Sequence, residues 1–341
     1  MKILQKTIKL YSFKAYVIIG FFCCFFMQGF SQDQNVSDSL KVLLKNNTYN
    51  SSQKLAILDD ISFNETNTDE IIIYSKLLID SAKKIDSVKY VFNGYLQMGT
   101  AYRLKSELTT ALENYFIAAK IAEDNNLRAK QASIKIAIAD VYSILGDSKN
   151  AVSYYRNSIL LLNNAKEIDS IDLATAQLNL GDEYYNQQEL DSALFYYSES
   201  GKIFKAIKYE IGEAYNLGNV GLVYAEKGEN INAEENLNKA IETLTELEDF
   251  YPICVYLNAM SDVYLDKKQD AKAFKYASRS LQLAQKYGLK EQISDGYLKL
   301  SNIYEQERLF KNSLNLYKKH ITYRDSVKNS DEIKEFELKQ K

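Results

Sequence analysis

A tyrosine followed nine residues later by a small residue recurs six times along the chain, and this repeat constrains the fold more than any other feature. The six pairs are Tyr102/Ala111, Tyr142/Ala151, Tyr184/Ala193, Tyr224/Ala233, Tyr264/Ala273 and Tyr304/Ser313. The period is 40 residues, with one interval of 42 residues. Self-similarity at a fixed period between about 20 and 50 residues is typical of stacked supersecondary units. The sequence therefore predicts a repeat architecture in which each unit contacts its neighbours.

The repeated unit is predicted to be a helical hairpin. Proline occurs once, at Pro252, and apolar residues recur at the three- and four-residue spacing of an α-helix. Between two such stretches, Gly146-Asp147-Ser148 supplies a turn and an N-cap. In the other repeats the slot of Gly146 holds residues that suit a short exposed link: Ser106, Gln188, Gly228, Lys268 and Arg308.

The constant nine-residue offset fixes the length of the turn inside each hairpin. The two extra residues of the long interval must therefore lie between hairpins, and they fit the linker 163–172. Three residues before each tyrosine stands a small residue: Gly99, Ala139, Gly181, Gly221, Ser261 and Ser301. Small residues on both helices let the two backbones approach closely, and the ring of the repeat tyrosine is then expected to fill the groove beside them.

These residues carry a resemblance to a known family. Leu180-Gly181-x-x-Tyr184 followed by Ala193-x-x-x-Tyr197 resembles the tetratricopeptide repeat pattern, with tyrosines in the aromatic slot of the second helix at Tyr115, Tyr155, Tyr197 and Tyr317. A degenerate seventh copy spans about 54–85, with Asp59, Ser62 and Ile71 in the glycine, tyrosine and alanine slots. The resemblance covers about 52–325 and implies an all-α fold, a right-handed α-solenoid of about seven 40-residue TPR-like helical hairpins. The chain departs from the family pattern in lacking its tryptophan and terminal proline, and its repeat is longer than the usual one of about 34 residues.

The first 31 residues are predicted to be a secretory signal peptide. Four lysines, with no acidic residue, accompany an apolar run at 15–27, and Gly29-Phe30-Ser31 suits cleavage before Gln32. An uncleaved membrane anchor is the alternative. Removal of this segment changes the formal net charge from −3 to −7, which gives no electrostatic footprint for nucleic acid. We therefore expect an exported protein, periplasmic or at the cell surface, with a leader at 32–51, the solenoid at 52–325 and a charged C-terminal helix at 326–341.

The sequence offers few groups for catalysis. The only histidine is His320, so a histidine-based metal site or nucleophilic triad has no basis. The position equivalent to His320 in the other repeats holds alanine or serine, which favours a packing role for His320. Cys254, the only cysteine after cleavage, is expected to be a buried, inert thiol. No glycine-rich phosphate loop occurs, and no two carboxylates are singled out by spacing. We predict that the chain is not an enzyme and holds no cofactor or metal.

The resemblance to tetratricopeptide repeats implies a curved groove, lined by the first helices, on which a peptide or partner protein docks. The candidate groove-lining residues are Asp140, Asn179, Asp182, Asn219, Asn258, Asp262 and Asn302. Asparagine amides can bond a peptide backbone, and the carboxylates favour a basic partner. The alternative is that these polar residues only keep the groove solvated and bind no partner. Family members that clamp a C-terminal carboxylate use lysine at slots that here hold Leu96, Ile136, Leu178, Gly218 and Leu298, so that mode is not expected.

The C-terminal stretch from Ile321 onward is strongly charged and is predicted to continue as a helix. An exported repeat array followed by such a helix resembles sensor proteins of the Bacteroidota, in which the repeats lead to a histidine kinase or helix-turn-helix output. No apolar run of membrane-spanning length follows Ser313. Three readings stay open: a stand-alone scaffold, a truncated sensor input and a split gene. A homodimer through the C-terminal helix is a further alternative.

Overall fold

The computed structural model describes residues 33–46, 49–165 and 169–339, with side chains described up to residue 326. This part of the chain is all helical, with fifteen helices and no strand. The predicted signal peptide lies outside the described residues. The helices are α1 Gln34–Lys45, α2 Ser51–Asn64, α3 Thr68–Lys83, α4 Val88–Leu104, α5 Leu108–Asp124, α6 Arg128–Ile144, α7 Ser148–Asn163, α8 Ser170–Asn186, α9 Leu190–Ile207, α10 Glu210–Glu226, α11 Asn230–Glu246, α12 Phe250–Asp266, α13 Asp270–Lys286, α14 Lys290–Gln306 and α15 Phe310–Lys339.

Consecutive helices pair into seven hairpins, from α2–α3 to α14–α15, which confirms the predicted solenoid. The six clear repeats each join their two helices through three residues, as the constant tyrosine-to-alanine offset predicts. The linker between α7 and α8 holds six residues, whereas α5 and α6 are joined by three. The two-residue insertion therefore lies between hairpins, as predicted.

The turn inside each of the six clear hairpins closes in the same way. Its middle residue has a left-handed backbone, with φ of +72° at Gly146 and +62° at Gln188. The following N–H then donates to the carbonyl of the repeat tyrosine, as Asp147 does to Tyr142 at 2.9 Å. This is the bonding pattern that ends many helices at a left-handed residue. Asp147 also caps α7 by accepting a hydrogen bond from the backbone N–H of Asn150, so the predicted turn and N-cap are both present, with Asp147 as the cap.

The small residues mediate the close contact between the helices of a hairpin. Ala111, Ala151 and Ala193 are fully buried. A Cβ atom at Gly99 or Gly181 would clash with the ring of Tyr115 or Tyr197 from the second helix. Those rings are almost completely buried. The ring that fills the groove at the glycine therefore comes from the second helix, and not from the repeat tyrosine as expected.

Both ends of the array differ from its middle. The degenerate repeat forms α2 and α3, and α1 packs against α2 from within the predicted leader. At the other end α15 is one helix of 30 residues that runs through the predicted boundary at 325/326. Tyr317 in its aromatic slot is 44% exposed, whereas Tyr197 is 1% exposed. None of the described helices has the combination of length and hydrophobicity that crossing a bilayer requires.

Candidate binding surface on the inner face

The first helices of the hairpins line the inner side of the curved array. Within the described residues, each of α2, α4, α6, α8, α10 and α12 contacts the first helix of the next hairpin, while the second helices of successive hairpins make no such contact. Helices that touch lie on the inside of a curve, and helices that splay apart lie on its outside. We call the surface formed by the first helices the inner face.

The seven predicted groove residues all lie on first helices, on α6, α8, α10, α12 and α14. Asp140, Asn179, Asp182, Asn219 and Asn258 are half-buried, while Asp262 and Asn302 are exposed. The structure therefore brings five of them into the layer where successive first helices meet. Their role in binding stays a prediction.

Two of the aspartates occupy equivalent positions in successive hairpins. The hydroxyl of Tyr155 donates to Asp140 Oδ1 at 2.6 Å, and Asn179 Nδ2 from the next hairpin donates to the same oxygen at 3.1 Å. One repeat later, Tyr197 donates to Asp182 Oδ1 at 2.6 Å and Asn219 Nδ2 does so at 2.7 Å. Each aspartate thus links the second helix of its own hairpin to the first helix of the next.

The chain of hydrogen bonds continues into the following hairpin. Asn219 Oδ1 lies 3.1 Å from the hydroxyl of Tyr256 on α12, which donates to it. The ring of Tyr256 lies against Gly218, where any side chain would clash with it. We call Asp140, Asn179, Asp182, Asn219 and Tyr256 the polar ladder. Sequence reasoning missed Tyr256, although Gly218 marked the place by interrupting a slot that is otherwise mostly apolar.

The remaining three candidates lie on the C-terminal part of the inner face. Asp262 forms an ion pair with Lys299 of the next hairpin, with oxygen–nitrogen distances of 2.5 and 2.6 Å. Asn258 has a buried Oδ1 without a hydrogen-bond partner in the described residues. Asn302 lies exposed on α14. These three residues therefore do not extend the polar ladder.

Burial sets the electrostatics of the ladder. It raises the pKa of Asp182 to about 7. The hydrogen bond from Tyr197 lowers this pKa, and the nearby charge of Glu183 raises it further, but burial is the largest effect. Burial also raises the pKa of Asp140. Glu183 itself is 2% exposed and accepts a hydrogen bond from Ser143 on α6, while its Oε2 has no partner in the described residues. Sequence reasoning did not single out Glu183.

The N-terminal part of the inner face has a similar link. Asn93 on α4 donates to both oxygens of Asp59 on α2, at 3.0 and 2.8 Å. Lys130 on α6 in turn donates to Asn93 Oδ1 at 2.8 Å. Burial lowers the pKa of the Lys130 ammonium, which also lies 4.3 Å from the ring centroid of Phe92. Here the buried carboxylate has a cation nearby.

The two groups considered for chemistry are both buried. Cys254 is completely buried, and burial raises the pKa of its thiol to about 11, so the expectation of a buried thiol is confirmed. The His320 ring is 8% exposed, with Nδ1 2.9 Å from the Ser294 hydroxyl. Among the described residues no group of three histidine, cysteine, aspartate or glutamate side chains has the arrangement of a metal site.

A second concavity lies on the outer side of the array. It has a volume of about 730 Å³ and runs between α7 and the start of α9, with Val152, Arg156 and Leu160 along one wall. Arg156 lies over the ring of Tyr184 and donates a hydrogen bond to its hydroxyl. The guanidinium of Arg156 is thus already bound within the protein.

Comparisons with known proteins agree with this architecture. Residues 130–206 match the tetratricopeptide repeat model. The matched stretch runs from α6 into α9, so it contains both hairpins whose aspartates belong to the polar ladder. No curated protein sequence matches the chain.

Several solved structures share the fold. The apo form of the quorum sensor NprR from B. thuringiensis is similar with a TM-score of 0.64 and 20% identity, over 84% of this chain and 80% of that one. A Rap protein complexed with competence and sporulation factor gives 0.62 and 13% identity, over 86% and 80%. A signal transduction ATPase with a tetratricopeptide repeat sensor, from Pyrococcus horikoshii, gives 0.58 and 17% identity, over 82% of this chain and 46% of that one. At these identities the likeness shows the fold.

Proposed function

We propose that the chain is an exported, non-enzymatic scaffold that binds an extended peptide or a segment of a partner protein along its inner face. The observation that carries this proposal is the polar ladder, because its amide and carboxylate groups stand in register on successive first helices. Groups spaced in this way suit the repeating donors and acceptors of a peptide backbone. A Rap protein with a similar fold was solved in complex with competence and sporulation factor, which supports a binding role for an array of this kind.

Export is proposed from the sequence of residues 1–31 alone. Fractionation of cells that express the full chain, followed by N-terminal sequencing, tests it. We expect the mature protein outside the cytoplasm with Gln32 as its first residue. A cytoplasmic protein that begins at Met1 would contradict export and leave the binding proposal to be tested separately.

Peptide selection tests the binding proposal. We expect the purified full chain to select peptides from a displayed library of random dodecapeptides. The double variant Asn179→Ala/Asn219→Ala should bind them at least about tenfold more weakly, since each lost hydrogen bond contributes about 1 kcal/mol. The control Asn157→Ala/Asn312→Ala removes two exposed amides from the second helices α7 and α15 and should change affinity less than about twofold.

The proposal is contradicted if both double variants lose the same affinity for the peptides, or if the chain selects no peptide from the library. Circular dichroism melting of each variant separates a loss of binding from a loss of folding, because the Asn179 and Asn219 amides also join neighbouring hairpins. Binding is therefore compared at a temperature where every variant is fully folded.

A second candidate is the input region of a signal-transduction receptor. The observation that favours it is α15, whose 30 residues make it far longer than the other second helices, which have 16 to 18 residues. A helix that projects beyond its hairpin is a means of coupling a repeat array to another domain. Reading the DNA directly after the codon of Lys341 tests this candidate: a frameshifted membrane helix and kinase support it, and a stop followed by an unrelated gene contradicts it.

A further inference from the structure

The inner face between α6 and α10 carries three carboxylates that are bound only by neutral groups. Asp140 and Asp182 accept hydrogen bonds from tyrosine hydroxyls and asparagine amides, and Glu183 accepts one from a serine hydroxyl. None of the three forms an ion pair with any residue that the structure describes. The charge of Arg103 lowers the pKa of Asp140, although the two side chains are too far apart to form an ion pair.

The three carboxylates lie close enough to repel one another. The charges of Glu183 and Asp140 both raise the pKa of Asp182, after the larger effect of its burial. Ser143, which holds Glu183, stands one helical turn after Asp140 on α6, so the Glu183 carboxylate is held beside the face that carries Asp140. The second oxygen of Glu183 is buried without a partner. A buried charge in this condition is costly unless a cation compensates it.

We propose that Asp140, Asp182 and Glu183 recognise the guanidinium group of an arginine side chain, carried by a peptide that docks on the inner face. This inference rests on the proposed function and specifies the chemistry of the partner. The arginine supplies the ion-pair partner that these three carboxylates lack among the described residues. The Asp262–Lys299 pair on α12 and α14 shows how a neighbouring acidic position is compensated internally.

A guanidinium fits this site better than an ammonium. Asp140 and Asp182 come from adjacent first helices, and a planar group with five N–H donors can bond carboxylates on both, whereas an ammonium presents a compact charge. A guanidinium is also more weakly hydrated, so its transfer to a half-buried site costs less. Tyr185 is half-buried and stands one helical turn after Asp182, on the same side of α8.

Fluorescence polarisation with simple peptides tests the inference on the full chain. The probes are fluorescein-labelled hexa-arginine, hexalysine and hexaglutamate amides at physiological ionic strength and pH 8, above the pKa of Asp182. Asp182→Asn/Glu183→Gln keeps both hydrogen-bond acceptors and removes two charges. The matched control, Glu242→Gln/Glu246→Gln, removes two exposed charges from the second helix α11 and so changes the net charge equally.

We expect hexa-arginine to bind the unaltered chain more tightly than hexalysine, and hexaglutamate to bind more weakly than both. Hexa-arginine should lose at least about tenfold in affinity on Asp182→Asn/Glu183→Gln and less than about twofold on the control. Equal losses in the two double variants would show general charge attraction and overturn the inference, as would equal affinities for arginine and lysine. Melting curves at the assay pH establish that both variants are folded.

The dodecapeptides selected on the chain separate this inference from the proposed function. Peptides that need Asn179 and Asn219 but tolerate replacement of every arginine by norleucine would refute the arginine site and leave inner-face binding standing. Peptides whose key arginine shows coupling to Asp182 and Glu183 in a double-mutant cycle would support both. If no peptide depends on the inner face, both proposals fail.

Discussion

At the scale of single residues, the middle position of the hairpin turn, which we call the turn slot, shows that the repeat tolerates residues that do not favour the local backbone conformation. The left-handed conformation is held by Ser106, Gln188, Lys268 and Arg308 as well as by two glycines. A side chain with a Cβ atom adopts this conformation at a cost of about 1–2 kcal/mol, which glycine avoids. The surrounding hairpin therefore imposes the turn on residues that do not prefer it.

Replacing such a residue by glycine should stabilise the protein. We expect Gln188→Gly to raise the free energy of unfolding by about 0.5–1 kcal/mol, because the relief of backbone strain exceeds the added entropy of the unfolded chain. Urea denaturation measures the change. Gly146→Ala at the equivalent slot is the converse variant and should destabilise by a similar amount; a loss of stability in Gln188→Gly would contradict the role assigned to the slot.

The buried carboxylate of Asp182 should make stability depend on pH. Its pKa in the folded protein, about 7, lies above its ordinary value near 3.8, so the folded state keeps a proton that the unfolded chain loses. Stability from this group is therefore lost as the pH rises from about 4 to about 7. Asp182→Asn should match the unaltered chain near pH 4 and exceed its stability by up to about 4 kcal/mol at pH 8, because each pKa unit corresponds to about 1.4 kcal/mol.

The control for that comparison is Asp191→Asn. Asp191 is exposed, and the ammonium of Lys227 lowers its pKa, so its replacement should bring no gain of stability at pH 8. Thermal melting of both variants across the pH range gives the result. A constant difference between Asp182→Asn and the unaltered chain at every pH would show that the charge of Asp182 is unimportant.

Residue-level reasoning from the sequence located these side chains but not their partners. The 40-residue period placed Asp140 and Asp182 in equivalent slots on the first helices, and the structure has them there. Their partners lie 15 residues later on the second helix and 37 to 39 residues later on the next first helix. Helical periodicity reports which face a residue occupies, whereas these contacts depend on how far the helices are rotated and offset against each other.

At the scale of the element, close approach of two helices depends on the buried alanine of each hairpin. We expect Ala193→Phe to lower the free energy of unfolding by about 1–3 kcal/mol or more, because the larger side chain overpacks a fully buried contact. Ser198→Phe on the exposed side of the same helix is the control and should change stability by less than about 0.5 kcal/mol. Equal effects in chemical denaturation would contradict close packing at Ala193.

One buried carboxylate is central to the attachment of the helix α1 to the array. Glu65 is 1% exposed, pairs with Lys41, and accepts a hydrogen bond from the Ser37 hydroxyl at 2.7 Å. Burial works against its ionisation, but Lys41, the Asn67 N–H and Ser37 outweigh that effect and lower its pKa to about 2. The attachment is therefore complete above about pH 4.5 and weakens as the pH falls towards 2.

Glu65→Gln should release α1 while the rest of the array stays folded. Removal of one partner of a buried ion pair costs about 3 kcal/mol, which exceeds what the remaining contacts of a short helix supply. Hydrogen exchange of residues 34–45 should accelerate at least about tenfold. Glu70→Gln removes the other, more exposed carboxylate that pairs with Lys41 and should have a smaller effect; equal acceleration would refute the central place given to Glu65.

Helix prediction succeeded inside the repeat and beyond its C-terminal border, where α15 continues to Lys339, but it stopped at the N-terminal border. The constant nine-residue offset between the tyrosine and the small residue predicts the hairpin turns and the place of the insertion. The helix α1, by contrast, falls in the stretch predicted to be a leader. Asp33 caps this helix, and Val36, Leu40 and Leu44 recur at helical spacing, so a local signal was present. The repeat lends no support to this signal, because a stretch outside the repeat has no other copy with which to compare it.

At the scale of the whole molecule, the stacking of hairpins turns isolated side chains into a continuous surface. Each ladder residue belongs to a different first helix or a different turn of it, and only the contact between successive first helices brings them into line. A peptide along this face would touch α6, α8 and α10 together. Its binding free energy would therefore depend on the curvature of the array as much as on any one residue.

Hydrogen–deuterium exchange of the full chain, with and without a selected dodecapeptide, tests the central claim most directly. If the inner face is the binding surface, amides of the first helices α6, α8 and α10 become more protected, and those of the second helices α7, α9 and α11 change little. Protection confined to the second helices, or to the outer concavity beside Arg156, would contradict the account.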